Sequence, residues 1–188
     1  MRVLGISGSL RRDSYNSGLL RAAADVLPSG VDLEVFDGLK AIPPYDADDD
    51  TELAVAPVTA LREAIAAADA VLIATPEYNA SIPGVLKNAL DWASRPHATN
   101  PLRGKPAAVV GASTGMFGAV WAQAETRKVL STIGARVVDM ELPVPESEER
   151  FDASGRLVDA EVREQLAEVV AALVEAAEIR AAGLARAA

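Results

Sequence analysis

The chain has no cysteine. That excludes disulfides, thiolate metal sites, a catalytic thiol and a cofactor linked through cysteine. It has one histidine, His97, in the polar stretch Ser94-Arg95-Pro96-His97-Ala98. A lone imidazole completes neither a metal site nor a Ser-His-Asp triad, because both need partners in defined geometry. It reads as a solvated loop residue. Positive charge is scarce: 18 Lys+Arg against 27 Asp+Glu leave a net charge of −9. A general nucleic-acid or anionic-membrane surface is therefore not expected. Long apolar runs are missing too. A long charge-free stretch, Ala107 to Ala124, is broken by Gly111-Ala112-Ser113-Thr114-Gly115. It reads as strand, loop and helix, not as a membrane span. Arg2 opens a strand-length run, not a signal peptide. The expected location is cytoplasmic, and the sequon Asn79-Ala80-Ser81 has no export signal to accompany it.

What is present is alternation. Expected strands are Arg2–Ser7, Val31–Phe36, Ala70–Ala74, Ala107–Gly111 and Arg136–Leu142. Expected helices are Ser17–Leu27, Pro57–Ala68, Ile82–Ala93, Gly118–Ile133 and Asp159–Ala182. Strands one, three and four are apolar on both faces, whereas Val31–Phe36 alternates with Asp32 and Glu34 and suits a sheet edge. Five strand–helix alternations predict a parallel sheet with helices on both faces. The length fits one domain, residues 1–182, with 183–188 as a frayed tail. The acidic run Asp46-Ala47-Asp48-Asp49-Asp50 invites a calcium-loop reading. Thr51 and Pro57 stand where an EF-hand needs glycine and glutamate, so a solvated loop is expected. Arg95–Lys105 and Pro143–Gly155 read as connecting loops.

In such sheets ligands bind at the carboxyl ends of the strands. The loop after strand one is Ser7-Gly8-Ser9-Leu10-Arg11-Arg12-Asp13-Ser14-Tyr15-Asn16. It leads into a helix whose N-terminus attracts anions. Hydroxyls add donors, and Arg11 adds a forked contact suited to phosphate. The same residues could equally form an ordinary capped helix start, with Ser14 or Asn16 as the cap. The G-x-G-x-x-G spacing of a dinucleotide site is missing, as is the Gly-Lys-Ser/Thr of a P-loop. A terminal phosphate monoester fits best. The loop after strand three, Thr75-Pro76-Glu77-Tyr78-Asn79-Ala80-Ser81, is stiffened by proline and suits a flat heteroaromatic ring. A plain proline-rich turn is the alternative.

These two loops resemble the NAD(P)H-dependent FMN reductase family of quinone, azo-dye and chromate reductases. The resemblance is carried by Gly8 to Asn16, by Pro76-Glu77-Tyr78-Asn79, and by Pro83-Gly84-Val85-Leu86-Lys87-Asn88-Ala89-Leu90-Asp91-Trp92. It continues through Gly111-Ala112-Ser113-Thr114-Gly115 and spans roughly residues 2–175.

The resemblance implies a flavodoxin-like three-layer sandwich with a five-stranded parallel sheet. It implies that Ser9, Arg11, Ser14 and Asn16, with nearby backbone, hold the phosphate of non-covalent FMN, and that Tyr15 also belongs to the cofactor site. Pro76, Glu77, Tyr78 and Asn79 would line the isoalloxazine, and Ser113, Thr114 and Gly115 would close its other side. The chain would pass two electrons from NADPH or NADH through FMN to a small-molecule acceptor such as a quinone, an azo compound or free flavin. No catalytic side chain and no metal is expected. A carboxylate on Glu77 would oppose charge on the reduced ring, so Glu77 is expected to face away or be paired.

A homodimer or homotetramer is implied as well. Trp92 and Trp121 are candidate subunit contacts, with core packing as the alternative for each. Trp121 stands where the family often has arginine, and Arg127 follows on the same helix as a possible partial replacement. Two other classes remain open: a flavodoxin-type electron carrier, and a flavin-free nucleotide-binding module.

Overall fold

In the computed structural model, which describes residues 1–51 and 55–187, the chain runs β1 (Arg2–Ser7), α1 (Tyr15–Asp25), β2 (Asp32–Phe36), α2 (Ala56–Ala67), β3 (Ala70–Thr75) and α3 (Gly84–Ala93). It continues as β4 (Pro106–Ala112), α4 (Val120–Ile133), β5 (Arg136–Val137), β6 (Pro143–Val144), α5 (Ser147–Arg150) and α6 (Ala160–Ala187). Two 3₁₀ turns, Gly38–Ala41 and Ala47–Asp49, lie between β2 and α2. All strand pairings are parallel, in the order β2-β1-β3-β4-β5. This is the doubly wound, flavodoxin-like order, with its switch point at the carboxyl ends of β1 and β3.

The sheet sits at the centre because its inner strands have no polar face. In β3, Ala70, Leu72 and Ala74 point into the core shared with α1 and α6. Val71 and Ile73 point into the core shared with α2, α3 and α4. Fully burying Leu72 or Ile73 contributes roughly 2 kcal/mol each. Trp92 is fully buried in the second core, and its Nε1 donates to the Pro43 carbonyl at 2.9 Å. It is therefore a core residue and not a subunit contact. Lys105 is also buried. Its ammonium donates to the carbonyls of Ala66 and Ala68 at the end of α2, and burial lowers its pKa to about 8. In the acidic loop, Asp46 caps its own short turn and Asp50 pairs with Arg62 at 2.8 Å. Among the described residues no helix is long and apolar enough to cross a membrane.

Three expectations need correction, the first being that Pro143–Gly155, read as a connecting loop, holds β6 and α5. The single strand Arg136–Leu142 is instead two short strands in line. β5 pairs with Pro106–Ala107 and β6 with Gly111–Ala112. Between them the outer chain takes six residue steps where β4 takes four, so the surplus bulges outward. Helix α4 fills the bulge. Arg127 donates to the Met140 carbonyl and pairs with Asp139 at 2.7 Å, while Gln123 Oε1 accepts from Leu142 N–H at 3.2 Å. The last helix runs through Gly183 to Ala187, beyond the expected end at Ala182. One glycine costs about 1 kcal/mol in a helix, and the alanines, leucine and arginines around it are strong helix formers.

Candidate functional site

The β1–α1 loop starts where Gly8 N–H donates to the Ala74 carbonyl at 2.8 Å, which ties the loop to β3. Ser14 is the N-cap of α1, and its hydroxyl accepts from Asn16 N–H. The first turn of α1 carries no acid. The N–H groups of Tyr15 and Ser17 have no partner among the described residues and stand at the positive end of the helix. Ser9 Oγ accepts from Arg11 N–H at 3.3 Å. The Arg11 guanidinium lies over the Tyr15 ring at 5.2 Å and makes no ion pair among the described residues.

Asn16 does something the sequence did not reveal. It is buried, its Nδ2 donates to the Ala112 carbonyl at 2.9 Å, and its Oδ1 accepts from Ala112 N–H at 3.0 Å. The side chain expected on the phosphate is thus a two-pronged bracket on the end of β4. A backbone pair left open by the last residue of a strand is satisfied this way.

The β3–α3 loop is rigid. Tyr78 and Ser81 exchange two backbone hydrogen bonds at 3.1 and 3.2 Å around Asn79 and Ala80, whose φ values are 55° and 57°. That is the geometry of a two-residue type I′ hairpin. Asparagine tolerates the left-handed conformation, whereas alanine is held there at a cost of about 1 kcal/mol. Two carboxylates clamp the hairpin to α4. Glu77 accepts from Ala122 N–H at 3.0 Å, in place of the cap that Ala119 cannot supply. Glu125 reaches back, accepting from the Ser81 hydroxyl at 2.5 Å and from Ile82 N–H at 3.2 Å. Glu77 is paired, as expected.

The Ser81 hydroxyl, then the Ile82 N–H, hold the Glu125 carboxyl below its ordinary value. A group with a lowered folded pKa stabilises the fold above its unfolded value and loses that contribution as pH falls through the folded one. The stability margin of wild type over Glu125→Ala is expected to hold from neutrality to about pH 5 and to shrink below it. Paired urea titrations across that range check this, and a margin that grows on acidification would refute the clamp.

The β4–α4 loop closes the third side. Gly118, at φ 57°, lies so close to β6 that a Cβ there would come within 2.6 Å of Val144 N. Ser147 N–H and Oγ both donate to the Ser113 carbonyl, at 3.1 and 2.8 Å. The segment after β6 is thereby bolted to Ser113.

These loops converge on one cavity of about 330 Å³. Ten of the twelve expected residues line it: Ser9, Arg11, Ser14, Tyr15, Asn16, Pro76, Glu77, Tyr78, Ser113 and Thr114. Asn79 and Gly115 stand outside the lining; Asn79 turns the hairpin, and Gly115 N–H donates to Ser113 Oγ at 3.1 Å. The sequence missed Ala112 and Glu148, because Glu148 lies in an acidic stretch with no motif. Arg127 is committed to the β5–β6 bulge and replaces nothing here. Trp121 is exposed and meets Phe117 edge-on at 4.8 Å, so core packing does not account for it.

The donor set fits a flavin mononucleotide. A free arginine, two hydroxyls and a helix N-terminus stand at one end, with two stiff loops at the other. A doubly wound sheet with an anion cradle after its first strand and ring-flanking loops after its third and fourth defines a mononucleotide-binding protein of the flavodoxin-like class. The chain belongs to the NADPH-dependent FMN reductase family, whose model matches residues 1–149. It is 46% identical over 175 residues to an NAD(P)H-dependent FMN reductase of Pseudomonas aeruginosa, covering 92% of this chain and 93% of the relative. It is 40% identical over 167 residues to a 2-hydroxy-1,4-benzoquinone reductase of a Burkholderia species, covering 88% and 90%. The solved structure of FerB, a flavoenzyme NAD(P)H:(acceptor) oxidoreductase from Paracoccus denitrificans, matches with a TM-score of 0.83 and 36% identity, over 95% of this chain and 98% of that one. Membership makes the chain an oxidoreductase of FMN and NAD(P)H.

Proposed function

We propose that the chain carries two electrons from NAD(P)H through bound FMN to a small acceptor, a quinone, an azo compound or free flavin. The observation that carries this reading is the convergence of the three loops on one cavity with an unpaired arginine at one end. The relatives named quinone reductase support the acceptor class.

When bound, FMN supplies a ring that accepts two electrons from the nicotinamide and passes them on. The chain supplies binding, orientation and electrostatics. Arg11, the hydroxyls of Ser9 and Ser14, and the N–H groups of Tyr15 and Ser17 hold the phosphate. Pro76 to Tyr78 and Ser113–Thr114 flank the ring. The N–H groups of Glu77 and Asn79 have no partner among the described residues and are donors for charge that develops on the ring. The Glu77 carboxylate is held by the Ala122 N–H of α4. No side-chain acid or base is required.

Exposed Leu10 and Tyr78 line one shallow pocket, and exposed Phe117 and Trp121 meet edge-on; such exposed apolar side chains suit a second copy of the chain and support a homodimer or homotetramer. A nicotinamide-fed enzyme without cysteine fits the cytoplasm.

The test is a spectrum of the purified protein with and without added FMN, followed by NADH and NADPH oxidation with a quinone and an azo dye, with light scattering for mass. A yellow protein that oxidises a nicotinamide only when an acceptor is present is expected. A protein that stays colourless with FMN overturns the reading. One that binds FMN but cycles only with a donor protein is a carrier.

A further inference from the structure

Two carboxylates line the cavity, Glu77 and Glu148, and of these only Glu77 is held by a hydrogen bond among the described residues. Glu148 stands on α5 and lines the same cavity as Arg11. The wall that carries it is fixed by the two Ser147 bonds to the Ser113 carbonyl, by Glu146 N–H donating to the Gly115 carbonyl at 3.3 Å, and by Phe151 against Tyr15 at 5.2 Å. It forms no ion pair among the described residues. Arg150, two residues on, is held by Asp159 at 2.6 Å, and Glu146 and Glu149 flank it with further negative charge. Arg11 is the only cation in the lining, and Glu77, the other acid, already accepts from Ala122.

We propose that Glu148 is a specificity-determining counter-charge. It opposes the phosphate gathered at Arg11 and keeps FMN exchangeable instead of permanently held. The inference rests on the FMN reading of the cavity and deepens it. Attraction at Arg11 selects a flavin that carries phosphate, and repulsion at Glu148 limits how long it stays. An exchangeable flavin lets the same cavity take up free FMN and return it reduced, so flavin is both cofactor and acceptor. Riboflavin, which has no phosphate, is indifferent to both charges.

The test titrates the full-length protein and its Glu148→Gln variant with FMN and with riboflavin, following quenching of flavin fluorescence. Glu148 is exposed and makes no hydrogen bond among the described residues, so the glutamine variant keeps the fold. Glu148→Gln is expected to bind FMN about fivefold more tightly at low ionic strength, the order of effect that removing one like charge from the same cavity has. The gain is expected to fade by about 0.5 M salt, and riboflavin affinity is expected to stay the same. Equal FMN affinity in the two proteins overturns the proposal. So does a parallel loss for both flavins, which would make Glu148 an acceptor for sugar hydroxyls. If neither protein binds FMN, the FMN reading itself falls, and this inference falls with it.

Discussion

Arg11→Ala is expected to weaken FMN binding by about 2–3 kcal/mol, roughly a hundredfold in Kd, because a charge-assisted bond to phosphate is lost. The fold does not depend on this side chain. Arg11 is exposed, its guanidinium touches only the Tyr15 face, and the loop is pinned through backbone at Gly8 and through Ser9. Thermal unfolding without flavin should therefore match wild type. Riboflavin should bind both proteins equally, so the ratio of FMN to riboflavin affinity isolates the phosphate contact. Arg11→Lys keeps the charge but loses the fork and should fall between the two. Unchanged FMN affinity in Arg11→Ala would remove the anchor from the proposed site.

Asn16→Ala should act through the opposite route. It removes a donor and an acceptor from a buried position and leaves both backbone groups of Ala112 without partners. An unsatisfied buried group costs about 1–3 kcal/mol, so a loss of about 2–4 kcal/mol in unfolding free energy is expected. Ala112 lines the cavity and leads into Ser113, so FMN and riboflavin affinity should fall together. Asn16→Asp is the sharper variant. It keeps the shape and the bond from Ala112 N–H, but it turns an anion toward the Ala112 carbonyl and adds negative charge beside the phosphate position. It should lose stability as well, and it should lose FMN more than riboflavin. Urea unfolding with flavin titration separates the three proteins. A stable Asn16→Ala with normal flavin binding would show that the bracket is dispensable.

The legible parts of the chain were those written in local pattern. β1 was read with its observed ends, and β3 and β4 were read to within a residue, because continuous apolar runs between turn residues have few other uses. The chemistry of Arg11 and of Pro76 to Tyr78 was legible because the residue types carry it. What was not legible depended on distant partners. The bracket from Asn16 to β4 has no local signal because Ala112 is 96 positions away. The expected fifth strand broke in two because the space beside β4 is filled by Arg127 and Gln123 from α4, and nothing in Arg136–Leu142 announces them. Glu125 showed no motif because its partners, Ser81 and Ile82, belong to another loop. Helix α1 begins at Tyr15, two residues before the apolar period suggests, because Ser14 supplies the cap.

The bulge between β5 and β6 has a consequence beyond the site. A parallel sheet with a free edge is a template on which another chain can add a strand. Here one edge is two fragments of two residues each, with Pro143 supplying no N–H and the displaced segment tied back to α4. The opposite edge, β2, exposes the carboxylates of Asp32 and Glu34. Neither border offers a long neutral ladder to a stranger. Copies of this molecule crowded together are thereby protected from strand-by-strand aggregation.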